Sequence, residues 1–158
     1  MRNLFFALLA GGLFFTSCSK SDNIPDTIIP VDSTTTPITS PSIENFESGN
    51  KIEYTSASIP LTTGKWSFDN ALIGTDANDK KNGSKSARLQ ESGKLSMNFD
   101  VVGGVFILSM ANASYGADAA GSFSVWASAN SGVSYTQVGI INTTGVLKTD
   151  SLLMNYPK

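Results

Sequence analysis

The stretch "KLSMNFD", residues 94–100, alternates without a break: Leu95, Met97 and Phe99 fall on one side, Ser96 and Asn98 on the other. Successive side chains of an extended chain point to opposite faces, so this pattern predicts a half-buried antiparallel strand. Working outward, "GVFILSM" (104–110) is apolar at nearly every position and predicts a central strand covered on both faces. "GSFSVWAS" (121–128) and "VSYTQVGII" (133–141) follow at short intervals, joined by "ANSGVS" (129–134), whose Asn, Ser and Gly tolerate hairpin-turn geometry. On the amino-terminal side, "IENFE" (43–47), "GKWSFD" (64–69) and "SKSARLQ" (84–90) are three shorter strand candidates. No stretch of residues 43–158 repeats with a helical period, and the chain holds 14 glycines. The expectation is one all-β domain over 43–158, an antiparallel β-sandwich of jelly-roll type.

The segment before that domain reads differently. Arg2 is followed by "LFFALLAGGLFF" (4–15), an uncharged apolar run matching a secretory leader and too short to cross a bilayer as a helix. A buried helix is the alternative, but no polar face interrupts the run and two glycines lie in it. Thr16 and Ser17 lead to Cys18, the only cysteine. With no partner thiol, no histidine, and only Lys20 and Asp22 nearby, a disulfide, a zinc site and a catalytic thiol are all poorly supplied. The arrangement resembles a bacterial lipoprotein signal, with a leader over 1–17 and Cys18 as the lipidated residue, although Phe15 stands where Leu is usual. The resemblance implies export, a membrane partner engaged through lipid on Cys18, and a place on the outer membrane or cell surface of a Gram-negative bacterium. Residues 18–42, rich in Ser, Thr and Asp with Pro25, Pro30, Pro37 and Pro41, predict a disordered, extended tether.

Composition excludes several functions. Eleven Lys and Arg against 13 Asp and Glu leave a formal charge of −2, which offers no global argument for nucleic-acid binding. No histidine is available for a Ser-His-Asp triad, and no phosphate-binding or dinucleotide glycine motif is present. No small-molecule cofactor is expected, and the chain itself reads as non-catalytic.

The block from Phe46 to about Gly139 resembles a β-sandwich accessory module of secreted and lipidated bacterial proteins. That module often precedes a DNA/RNA non-specific endonuclease or related extracellular hydrolase domain. The likeness is carried by Phe46-Glu47, Gly64 and Trp66, "DKKNGSKSARL" (79–89), "GKLSMNFD" (93–100), "YGAD" (115–118) and "FSVWASANSGVSYTQVG" (123–139). The resemblance implies one or two further strands and a downstream catalytic domain as partner. The closing "TTGVLKTDSLLMNYPK" (143–158) departs from that pattern, so the module is expected to lack its last strand or strands unless 146–156 forms a shortened closing strand. Three roles follow: a membrane-anchored module that binds or positions an extracellular polymer or neighbouring domain, the amino-terminal fragment of a secreted endonuclease, or a self-contained glycan-binding lipoprotein.

Candidate sites each have a structural alternative. Lys80, Lys81, Lys85 and Arg88 form a local basic patch suited to phosphates or anionic glycans; equally, "KNGS" (81–84) is a turn ringed by solvated lysines. Glu47 is a candidate ligand for structural calcium, with Asp100 or Asp118 as further oxygens, or else a solvent-facing strand carboxylate. Trp66 and Trp126 lie in strand-like runs and are expected in the core, whereas Tyr115 and Tyr135, nearer turns, are the exposed candidates for stacking on sugar rings of a polysaccharide.

Overall fold

The computed structural model describes residues 4–6 and 42–156. Cys18, the rest of the leader and the tether up to residue 41 lie outside the described residues. The described chain is all-β, with no helix among the described residues. Its strands are β1 (Leu4–Phe6), β2 (Ala57–Leu61), β3 (Gly64–Gly74), β4 (Ser86–Met97), β5 (Val105–Asn112), β6 (Ser122–Ala127), β7 (Thr136–Asn142) and β8 (Lys148–Tyr156). They form one four-stranded sheet in the order β1-β4-β3-β2 and two pairs, β5-β8 and β6-β7, every pairing antiparallel.

The alternating stretch that predicts a strand is the far half of β4. Residues 84–90 and 94–100 do not form separate strands; most of both belong to β4, which pairs with β3 on each side of a bulge. At the bulge Asn70 and Ser92 take positive φ, 47° and 65°, and the Asn70 amide donates to the Glu91 carbonyl at 2.7 Å. Between the Asp69–Lys94 and Ala71–Leu89 pairs, Asn70 of β3 faces four residues of β4, 90–93, and this local bend lets one long hairpin serve where the sequence suggests two shorter ones.

The segment 43–47 is not a strand. Phe46 turns into the left-handed region (φ 62°) and is buried in the first core with Leu61, Phe68, Ala71, Ile73, Ala87 and Leu89. Glu44 holds this turn: its buried carboxylate accepts from the Phe46 N–H (2.8 Å), the Thr63 N–H (3.0 Å) and the Thr63 hydroxyl (2.7 Å). Trp66 packs against the same core, edge-on to Phe46 and Phe99, with its indole N–H on the Thr63 hydroxyl at 2.9 Å.

A second core joins the two strand pairs: Met110, Leu108 and Leu152 from β5-β8 against Val125, Ile141, Phe123 and Val138 from β6-β7. Gly139 makes the close approach possible, since a Cβ there would stand 2.9 Å from the Leu152 side chain. The central strand expected at 104–110 is instead one of a pair: β5 is hydrogen-bonded only to β8 among the described strands, and Phe106 and Ile107 are exposed. Its apolar run continues beyond the region that β6-β7 covers.

Candidate functional site

The long β3–β4 connection, residues 75–85, folds around a buried carboxylate. Asp79, its side chain fully enclosed, takes a forked ion pair from Arg88 of β4, Nε to Oδ1 at 2.7 Å and Nη2 to Oδ2 at 2.5 Å. The Asp76 N–H adds a third donor at 2.8 Å. Burial works against the Arg88 charge, but the hydrogen bond and charge of Asp79, helped by Tyr54, outweigh it and raise the guanidinium pKa. The Tyr115 ring lies over the guanidinium, 4.3 Å from centroid to Cζ, and its hydroxyl donates to Asp76 at 3.0 Å. Arg88 and Tyr115, both read as ligand candidates, are thus brought together and engaged with each other. Tyr115 is half-buried rather than a free platform.

The lysines of the basic patch follow the same inward course. Lys85 donates to the Gly49 carbonyl at 2.7 Å, and Lys81 donates to the backbone carbonyls of Asp76 and Asp79. Lys80 is half-buried. Glu47 is neither a solvent-facing strand residue nor gathered with other acids. Its carboxylate accepts the N–H groups of Ser84 (2.8 Å) and Lys85 (2.9 Å) and the Ser84 hydroxyl. Those bonds, led by the hydroxyl and opposed by burial, hold its pKa below the ordinary carboxylate value. Gly83 leaves room for the contact, because a Cβ there would come within 2.4 Å of Glu47 Oε1. Asp100 accepts from the Ser131 hydroxyl at 2.6 Å, and among the described residues no three acids, cysteines or histidines are grouped to hold a metal ion.

The β6-β7 hairpin presents a different surface. Trp126 is 55% exposed, which corrects its expected place in the core. The cause is strand alternation: Phe123 and Val125 face the second core, so Trp126, the next residue along β6, points to the opposite face. Ile140, opposite Ser124 and two pairs along from the Trp126–Gln137 pair, is exposed as well. Tyr135, 55% exposed, sits just before β7 begins.

The turn between them is closely braced. The Ser128 hydroxyl accepts from the Asn130 and Gly132 N–H groups (3.2 and 2.8 Å), and the Asn130 side chain accepts from the Ser134 N–H (2.9 Å) and donates to the Ser134 hydroxyl (2.9 Å). Ser131 ties the turn to Asp100, beyond the end of β4. The hairpin therefore presents two large aromatic side chains beside amide and hydroxyl groups on a fixed backbone. Such a surface suits stacking on an uncharged ring better than neutralising a phosphate. Trp126 is the residue sequence reading missed; alternation along "SFSVWA" (122–127) puts it on the face opposite Phe123 and Val125.

No family model, curated protein or solved structure matches this chain.

Proposed function

We propose that this chain is a non-catalytic, lipid-anchored β-sandwich module of jelly-roll type that holds an extracellular glycan polymer close to the membrane. The observation that carries the reading is the contrast between two surfaces. Arg88, Lys81 and Lys85 are engaged with Asp79 and backbone carbonyls, whereas Trp126 and Tyr135 are more than half exposed on a braced hairpin. An aromatic face covers a sugar ring without demanding charge, and long polymers make up for weak single contacts by repetition. A phosphate polymer, by contrast, needs cations free to replace its counterions. Cys18 serves as the anchor in this reading and the segment behind it as the tether.

Affinity electrophoresis of the full chain through gels containing neutral and anionic polysaccharides tests the binding. At least one neutral glycan is expected to retard the chain. Trp126→Ala and Tyr135→Ala should each weaken retardation by roughly 2- to 10-fold, the range of one aromatic contact. Retardation by no glycan, or variants as strongly retarded as the parent, would sink the proposal. Palmitate labelling that disappears in Cys18→Ser checks the anchor.

A further inference from the structure

The second sheet position of β4 is taken from an unexpected place. One side of β4 is paired with β3; the other is paired with β1, in the register Leu4–Leu89, Phe5–Arg88, Phe6–Ala87. The same short strand also lies against β5 without pairing to it, β5 being hydrogen-bonded only to β8 among the described strands. It therefore lies between β4 and the β5-β8 pair. Ala87 and Leu89, the β4 residues at that edge, belong to the first core and are almost completely buried. The opposite edge of the sheet is β2, where Pro60 interrupts the row of backbone donors, a usual guard against edge pairing. The β4 edge carries no proline over 86–97.

We infer that the β4 edge at Ala87, Arg88 and Leu89 is a strand-acceptor slot, filled by Leu4–Phe6 in the full chain and by an extended, uncharged, apolar segment of a partner polypeptide once the leader is removed. The second half of that statement rests on the lipoprotein reading, in which cleavage before Cys18 takes β1 away. Removal leaves unpaired N–H and C=O groups beside buried Ala87 and Leu89, an arrangement that favours capture of another strand. The occupant's chemistry is read from the strand seated there: three consecutive apolar residues in antiparallel register, recognised through main-chain hydrogen bonds. Ala87 and Leu89 flank the slot as core residues and the Arg88 charge is already taken by Asp79, so a charged peptide residue there would go uncompensated.

Two measurements on the full-length chain test this. In a Cys18→Ser background, Phe6→Cys with Ala87→Cys places thiols at paired positions, and oxidation should give a 6–87 disulfide within the monomer. Separately, Leu4→Asp with Phe6→Asp should expel the strand without shortening the chain. A fluorescent peptide of sequence NLFFA should then bind this variant roughly ten-fold or more tightly than the parent, and N-methylation of its central amide should abolish the gain. No 6–87 bond, or equal peptide binding by variant and parent, overturns the slot. A 6–87 bond found only in dimers overturns the partner segment in favour of exchange between copies. Loss of palmitate labelling with both slot readouts intact overturns only the opening by maturation, and glycan retardation reports on neither.

Discussion

Arg88 is the residue on which the loop end of the first sheet depends. Its guanidinium is held by a buried carboxylate on one side and a tyrosine ring on the other. Removing the cation while leaving Asp79 enclosed strands an uncompensated charge, so Arg88→Ala is expected to cost about 3–5 kcal/mol in urea unfolding. Arg88→Lys should recover little of this, since an ammonium cannot make the forked contact or stack flat on Tyr115. A loss below about 1 kcal/mol would place Arg88 among solvated surface cations instead. Ser92 poses a smaller case. It sits at φ 65° in the β4 bulge, a conformation glycine adopts freely, so Ser92→Gly should raise stability by about 0.5–1 kcal/mol in the same experiment.

At the scale of elements, several joints depend on single carboxylates. Glu47 fastens the coil before β2 to the turn before β4, and Asp150 of β8 accepts from Asn112 of β5 (2.8 Å) and Lys148 (2.5 Å). Both have pKa values held below the ordinary 4.5 and 3.8, Glu47 mainly by the Ser84 hydroxyl and Asp150 mainly by Lys148. A carboxylate whose folded pKa is depressed stabilises the fold above its unfolded pKa and loses that contribution as pH falls through the folded value. Stability is therefore expected to be level near neutrality and to decline below about pH 5. Glu47→Gln, measured by urea melts between pH 3 and 7, should be less stable than the parent at the upper end and converge toward it at the acid end. Parallel curves across that range would show that Glu47 contributes no pH-dependent stability.

For the whole molecule, two cores must act as one. Among the described residues they are joined by β1 lying against β5, the Gly116 N–H on the Asn78 carbonyl (3.1 Å), Tyr115 on Asp76 and Arg88, and Ser131 on Asp100. Each core is small, and small cores leave little margin over chain entropy. Tyr115→Ala removes both a ring contact and a hydroxyl bond from this junction. It should lower Tm and broaden the transition, with tryptophan fluorescence, which includes Trp66 of the first core and Trp126 on the β6-β7 hairpin, no longer coinciding with the far-ultraviolet circular dichroism melt. Coincident, sharp transitions would show that other contacts carry the coupling.

The sequence by itself determined that the described domain is built from antiparallel strands, because period-two alternation at 94–100 and turn residues at 129–134 act locally and leave few other conformations. It also marked Glu47, Arg88, Tyr115 and Tyr135 as residues of consequence. Tertiary structure alone decided what those residues do. Arg88 reads as a free cation until folding encloses Asp79 beside it, and Glu47 reads as a strand acid until the Ser84 and Lys85 amides meet it. Trp126 reads as core until packing puts Phe123 and Val125 on the covered face of β6, which leaves the indole on the other. Phe46 sits in a turn because Glu44 binds Thr63, 19 residues further along. Alternation is a short-range property of the backbone. Charge pairing, bulge position and the partner of an edge strand depend on residues far away in the chain, whose meeting only the packed fold brings about.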